Sequence, residues 1–195
     1  MKALKLLRQR TRARSRSQGV VLIISLFVLL AITLMATVSM ESLGLGERMA
    51  GNFKDRQLAF QTAETALRDA ESAIRSDTDG PFNPLRPGDF SATCNGALCA
   101  SPLGTSLTSS FSETDWSGTK TWAFGSQTGA VSLAAVASQP RYAIEYQGTT
   151  QPIEPGKPCV AVFLVTTQAA GGNTTTRVTL QSMFRLRAGE CYAAI

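Results

Sequence analysis

One stretch decides how this chain can fold: residues 20–40, VVLIISLFVLLAITLMATVSM. These 21 residues carry no charge, and as an α-helix they would extend over about 31 Å, close to the hydrocarbon thickness of a bilayer. The seven basic and no acidic side chains of residues 1–19 should keep that end cytoplasmic; they are Lys2, Lys5, Arg8, Arg10, Arg12, Arg14 and Arg16. The pattern predicts a membrane segment at Val20–Met40, with everything after Met40 exported.

The basic character of the chain belongs to this leader and not to the part that folds. Removing its seven positive charges from the formal net charge of +5 leaves −2 for residues 20–195. The basic residues therefore form no patch on a folded face, and we expect no nucleic-acid partner.

Three hypotheses compete for the leader and the apolar segment. A cleaved secretory signal has a shorter apolar stretch and a small-residue cleavage site after it, and the end of this run offers no such site. A plain membrane anchor fits the length and the charge. A class III signal is cut on the cytoplasmic side, before the apolar run, and needs a small residue at the junction, where Gly19 lies.

The helical pattern continues beyond the membrane segment. Apolar residues recur at three- and four-residue spacing at Leu58, Ala59, Ala63, Ala66, Leu67, Ala70, Ala73 and Ile74. Asp77, Asp79, Gly80 and Pro81 end the pattern after Ser76. The sequence predicts one long helix over residues 20–76, apolar at 20–40 and amphipathic at 53–76. Such a helix suits a subunit whose first half packs in a filament core and whose second half packs under its own head.

Three glycines interrupt the middle of this helix at positions 44, 46 and 51. Each costs up to about 1 kcal/mol relative to alanine. Two interpretations stay open: a frayed junction, or a segment that unwinds when the subunit leaves the bilayer and enters a filament.

Four cysteines follow the membrane segment: Cys94, Cys99, Cys159 and Cys191. An even number in an exported domain favours two disulfides, and their spacing does not suit zinc. We favour Cys94–Cys99 and Cys159–Cys191 among the three possible pairings. The chain has no histidine, the commonest general base and metal ligand, so we expect no metal, no cofactor and no enzyme activity. The DTDG segment at 77–80 lacks the other ligands of a calcium loop.

Residues 77–195 predict a globular head. Residues 80–140 indicate loops and short strands with aromatic anchors, among them a buried Trp116. Strand signals follow: a half-buried strand around Tyr142–Tyr146, a central strand at Val160–Val165, and alternation from Val178 to Leu186 after a turn at residues 171–173. The predicted fold class is α+β, an antiparallel sheet packed on the amphipathic half of the helix.

Several segments resemble PilX-type minor pilins of type IV pili. They are GVVL at 19–22, ERMAGN at 47–52, DRQLAFQ at 55–61, ALRDAE at 66–71, RYAIE at 141–145 and VTLQSMF at 178–184. The resemblance implies a type IV pilin-like fold, cleavage between Gly19 and Val20 by a prepilin peptidase, and methylation of the new amine on Val20. It implies an inner-membrane precursor whose head lies in the periplasm, later a cell-surface pilus subunit. The implied partners are the major pilin, other minor pilins, the inner-membrane assembly platform and a tip adhesin.

One residue departs from the family pattern. Most pilins carry a glutamate as the fifth residue of the mature chain, and here that position is Ile24. The missing acid removes a charge pair that would recruit the subunit beneath an existing one, so it bears on where the subunit can sit. In this respect the chain resembles the pseudopilin without this glutamate at the tip of type II secretion assemblies, and that resemblance implies a position at or near the pilus tip. The alternatives are a minor pseudopilin of type II secretion, which the ERMAGN segment disfavours, and an anchored periplasmic protein of another function.

Overall fold

The computed structural model describes residues 18–76, 89–150 and 160–187. The chain divides into two compact units, Met1–Ala50 and Gly51–Ile195. Helices α1 and α2 occupy Gln18–Ser76 and Glu113–Ser117. The strands are β1 (Leu98–Ala100), β2 (Trp122–Ala123), β3 (Arg141–Thr150), β4 (Val160–Ala170) and β5 (Arg177–Arg187).

The predicted long helix is confirmed, and the described residues show it over Gln18–Ser76; its predicted end after Ser76 stays a prediction, because residues 77–88 lie outside the described residues. It is α-helical through Gly44, Gly46 and Gly51, so this structure shows neither fraying nor unwinding there. Unwinding on entry into a filament stays a prediction.

In the second unit, residues 53–76 of α1 form the predicted amphipathic helix. Its buried face is made mostly of small side chains, four of them fully buried: Ala59, Ala63, Ala66 and Ala70. Their size allows the helix backbone to come close to the sheet, and the hydroxyl of Thr167 on β4 donates to the carbonyl of Ala63 (3.2 Å). Beyond the alanines, Ile74 joins one hydrophobic cluster with the fully buried Phe163.

The sheet has the order β1-β3-β4-β5, and β2 pairs with β3. The ladders β3–β4 and β4–β5 are antiparallel, and β4 lies between its two partners as predicted for the central strand. The sheet as a whole is mixed, since β1 pairs with β3 in parallel. A strand as short as Leu98–Ala100 carries too little periodicity to be recognised in the sequence.

The half-buried pattern predicted for β3 is wrong in its centre. Tyr142, Ala143, Ile144 and Glu145 are all fully buried. Alternate residues of a strand point to opposite faces, so both faces are covered here. The helix covers the face that carries Tyr142 and Ile144, and residues 101–111 cover the face that carries Glu145. By contrast, β5 alternates between exposed and half-buried residues throughout, as predicted.

The segment before β3 confirms the predicted loops with aromatic anchors. Trp116 is buried and makes an edge contact with Phe111, with ring centroids 5.6 Å apart. Cys94 and Cys99 form a disulfide, the first of the two predicted pairs. Cys159, Cys191, Asp77 and Asp79 lie outside the described residues.

Candidate functional site: an exposed apolar helix and three loop-holding carboxylates

The first unit presents an apolar helical surface. Every described side chain of α1 from Gly19 to Ala50 is exposed, and large apolar residues between Val20 and Met40 expose between 51% and 71% of their surface. Among the described residues, one helix is long and apolar enough to cross a membrane, and it contains this segment. So much exposed apolar surface requires a covering of lipid or of other apolar helices.

The few polar side chains of this segment are satisfied within the helix. Four hydroxyls donate to backbone carbonyls three or four residues earlier at 2.8–2.9 Å: Ser25 to Leu22, Thr33 to Leu30, Thr37 to Leu34 and Ser39 to Met35. This arrangement removes the cost of placing a hydroxyl in an apolar medium. The surface between Val20 and Met40 therefore offers apolar contact and no charge.

The predicted processing residues lie at the start of this helix. Among the residues that the structure describes, no heavy atom outside the helix lies within 4 Å of the position where a Cβ on Gly19 would be. Val20 is 58% exposed and Ile24, the fifth residue after the junction, is 57% exposed. No part of the chain that the structure describes covers the predicted junction.

In the second unit, three acidic residues each hold a loop against the helix or the sheet. The first is Asp55 on α1, which binds the turn between β4 and β5. Its Oδ1 accepts hydrogen bonds from the amides of Gly172 (2.6 Å) and Asn173 (3.2 Å). A Cβ on Gly171 would lie 2.5 Å from this same oxygen, so only glycine fits. A hydrogen bond from the Thr176 side chain has the largest effect and lowers the pKa of Asp55. Burial opposes it, and the bonds from the two amides lower the pKa further.

The second is Asp69, also on α1, which holds the loop after β2. Its carboxylate accepts hydrogen bonds from the Gly125 amide (2.9 Å) and from the Thr128 hydroxyl. Gly125 has a φ of +76°, and a Cβ there would lie 2.2 Å from the Ala130 carbonyl oxygen. Burial, and then the negative charge of Asp69, raise the pKa of the Tyr142 hydroxyl on the neighbouring strand.

The third, Glu145 on β3, is fully buried and accepts five hydrogen bonds from residues 101–108. Oε1 accepts from the Ser106 hydroxyl (3.0 Å) and from both the amide (3.1 Å) and the hydroxyl (2.5 Å) of Thr108. Oε2 accepts from the Ser101 hydroxyl (3.0 Å) and the Leu107 amide (2.8 Å). No ion pair joins Glu145 to a cation in the described part of the chain, so these donors alone compensate for its buried charge.

Arg141, four residues before Glu145 on β3, has a positive charge and holds the segment between α2 and β2. Its Nε donates to the Thr121 hydroxyl (2.7 Å), and its Nη2 donates to the carbonyls of Gly118 (2.9 Å) and Thr121 (2.6 Å). Burial lowers the pKa of Arg141. The guanidinium therefore closes the turn between α2 and β2.

None of these four charged residues was recognised from the sequence as having a role. Each lies, however, in a segment that carries the family resemblance: DRQLAFQ, ALRDAE or RYAIE. In RYAIE, Glu145 follows three apolar or aromatic residues of a predicted strand, and this pattern is the sequence signal that could have identified it as a buried charge with a structural role. Within residues 18–76, 89–150 and 160–187, no cluster of His, Cys, Asp and Glu is suited to hold a metal ion.

Two family models match the chain. The model described as PilX N-terminal matches residues 18–68, and the model described as type IV pilus assembly protein PilX C-term matches residues 79–186. No curated protein and no solved structure matches it. The apolar segment and Asp55 fall within the first match, and Arg141 and Glu145 fall within the second, whereas Asp69 lies between the two. The chain belongs to the PilX family of type IV pilus minor pilins.

Proposed function

We propose that this minor pilin primes type IV pilus assembly together with other minor pilins and occupies a position at or near the pilus tip. The observation that carries the tip position is Ile24. This residue presents an apolar side chain where most pilins present a carboxylate, and the described segment Val20–Met40 contains no acidic residue.

The physical reason is the cost of an unpaired charge in an apolar filament core. In most pilins the fifth-position glutamate neutralises the N-terminal amine of the neighbouring subunit. A subunit without it cannot pair with such an amine, so insertion beneath an existing subunit leaves that charge uncompensated. A subunit at the tip has no subunit above it and meets no such charge.

Immunogold labelling of a tagged head on intact pili tests this position. We expect label at pilus ends for the wild type and, for Ile24→Glu, label along the shaft as well. Ile23→Glu is the matched control, since it adds the same charge about 100° away around the helix and should not enter the shaft. Uniform shaft labelling of the wild type would refute the tip position.

Processing is the second part of the proposal. Cleavage by the prepilin peptidase between Gly19 and Val20, with methylation of Val20, would release the subunit from its inner-membrane precursor, whose head lies in the periplasm. The accessibility of the junction supports this step. N-terminal sequencing with and without the peptidase should find methylated Val20 only with it; Met1 in both samples would contradict the proposal.

Priming and its partners form the third part. The uncharged helix supports lateral packing with the apolar helices of other minor pilins and of the major pilin. In this proposal the inner-membrane assembly platform inserts these subunits, and a tip adhesin lies above the minor pilins. We expect cells without the protein to assemble few pili. The wild-type protein should restore their number, whereas a cleavage-blocked Gly19→Leu variant should not. Normal piliation with Gly19→Leu would contradict a role for the processed subunit.

A second disulfide, Cys159–Cys191, completes the proposal for the head. Val160 pairs with Arg187, so the chain enters β4 and leaves β5 side by side. Peptide mass mapping without reduction should recover this pair beside Cys94–Cys99. Recovery of both residues as thiols would contradict it.

A further inference from the structure

The last strand of the sheet has an edge that no other described strand covers. β5 pairs with β4 over its whole length, Arg177–Arg187, and ends the strand order. Proteins usually shorten, bend or cover such edges, because their unpaired amides and carbonyls bind other strands. This edge extends over 11 residues, contains no proline and has no register shift, whereas the β3–β4 ladder has one between Tyr146 and Thr149.

The strand is held in place from both faces of the sheet. On the helix side, the Ser182 hydroxyl donates to Glu71 (3.0 Å), and the Arg75 guanidinium lies 5.1 Å from the centre of the Phe184 ring. On the opposite side, the Gln181 amide donates to the hydroxyls of Thr166 and Ser106, both at 3.0 Å. The edge is therefore a pre-formed template, which lowers the entropic cost of adding a strand.

The charges along β5 indicate what kind of strand fits. β5 contains three arginines and no acidic residue. Arg177 is paired with Glu113 on α2, whereas Arg185 and Arg187 are exposed and have no acidic partner in the part of the chain that the structure describes. They are two residues apart, so both side chains point to the same face of the sheet.

In the register of full overlap, which is centred on Ser182, the same charges argue against a second copy of this chain as the partner. Antiparallel pairing of two β5 edges centred on Gln181 would place Arg177 opposite Arg185, and pairing centred on Ser182 would place it opposite Arg187. Like charges directly opposite each other destabilise a strand pair.

We propose that the β5 edge binds an extended segment of another protein by strand addition, and that this segment carries acidic side chains two residues apart, opposite Arg185 and Arg187. Main-chain hydrogen bonds supply the affinity, and the two cross-strand charge pairs select the sequence and its register. The inference goes beyond membership in a pilus and does not depend on it, because it concerns the isolated protein in solution.

The test measures binding of labelled synthetic peptides to the full-length protein in detergent micelles by fluorescence anisotropy. The first peptide is as long as β5, alternates valine with threonine, and has two glutamates at i and i+2. A second replaces both glutamates by lysine. A third keeps the glutamates but carries N-methyl groups on alternate backbone amides, which removes donors without changing the side chains.

We expect the glutamate peptide to bind about tenfold more tightly than the lysine peptide, because both charge pairs change from attraction to repulsion. The N-methylated peptide should not bind. The double variant Arg185→Glu, Arg187→Glu should prefer the lysine peptide. Arg56→Glu, Arg68→Glu is the matched control: it makes the same change in net charge on the exposed face of α1 and should keep the wild-type preference.

Three results would overturn the proposal: no binding of any peptide, equal binding of the N-methylated peptide, or an unchanged preference in the β5 variant. The first would mean that the edge is already covered, and the second that only charge is recognised. Because Arg185 and Arg187 are exposed and unpaired in the described structure, their replacement should leave the unfolding temperature unchanged. That measurement distinguishes lost binding from lost folding.

Discussion

Replacing Glu145 by glutamine tests whether its five hydrogen bonds or its desolvated charge dominates the stability of the head. Glutamine has nearly the same shape but supplies one acceptor oxygen and one NH2 donor. Each carboxylate oxygen of Glu145 accepts a backbone amide, Oε2 from Leu107 at 2.8 Å and Oε1 from Thr108 at 3.1 Å. In either orientation the new NH2 group therefore faces a backbone N–H.

The magnitude follows from these contacts. One backbone amide at a buried site loses its acceptor, which costs about 1–3 kcal/mol. The remaining bonds weaken from charge-assisted to neutral, a loss of about 1 kcal/mol or more in total. Removing a buried charge without an ionic partner recovers part of this cost. We expect Glu145→Gln to lower the free energy of unfolding by about 2 kcal/mol.

Tryptophan fluorescence during denaturant unfolding of the full-length protein in mild detergent is a suitable assay. Both tryptophans of the chain, Trp116 and Trp122, lie in the second unit, so the signal reports on the head. Glu64→Gln is the matched control, because Glu64 is exposed on α1 and has no partner in the described structure. It should change stability by less than about 0.5 kcal/mol.

An unchanged or increased stability of Glu145→Gln would refute the reasoning. It would show that the cost of burying the carboxylate is at least as large as the contribution of its hydrogen bonds. Proteolysis provides a second measure. Residues 101–108 should be cut faster in the variant, because the loop loses its hold on β3.

Three further predictions concern other contacts of the head. Hydrogen bonds lower the pKa of Asp55 below the ordinary value of 3.8, so the contribution of this carboxylate to stability is complete above pH 3.8 and is lost as the pH falls through the lower folded-state pKa. An Asp55→Asn variant should lose this part of the acid dependence in unfolding curves measured from pH 5 downward. An unaltered acid dependence would contradict the prediction. The free energy of unfolding of the double variant Cys94→Ser, Cys99→Ser should be about 2 kcal/mol lower than that of the wild type, a modest loss because the disulfide closes a loop of only six residues. Equal denaturant midpoints of the wild-type protein with and without reductant would contradict this prediction. Ala66→Leu should lower stability by about 1–3 kcal/mol because no space remains between helix and sheet, whereas the exposed Ser72→Leu should not, and calorimetric melting temperatures compare the two.

Elements with a strong local pattern could be predicted from the sequence. The apolar residues 20–40 and the amphipathic residues 53–76 predicted the long helix, which the structure shows over Gln18–Ser76. The turn at residues 171–173 and the alternation after it gave the β4–β5 hairpin and the half-buried strand β5. In each case the residues that determine the structure are neighbours along the chain, so periodicity and turn chemistry report on them directly.

The loop-holding residues could not be predicted in this way. Glu145 contacts residues 37–44 positions away, and Asp55 contacts residues 117 and 118 positions away. A sequence shows that a carboxylate is present but not which donors converge on it. The parallel pairing of β1 and the burial of both faces of β3 depend on the same long-range placement of residues 98–111.

The sequence by itself therefore determined the parts of this protein that carry its resemblance to pilins: a glycine at position 19 between a basic and an apolar segment, an apolar helix with isoleucine at position 24, and an amphipathic continuation. These are properties of one helix, whose period and charge are written locally. Only the tertiary structure decided how the head is held together and which strand ends the sheet among the residues that the structure describes. Those features arise where distant segments meet. The buried charges of Asp69 and Glu145 and the half-buried charge of Arg141 are stable there only because folding brings their hydrogen-bond partners to them.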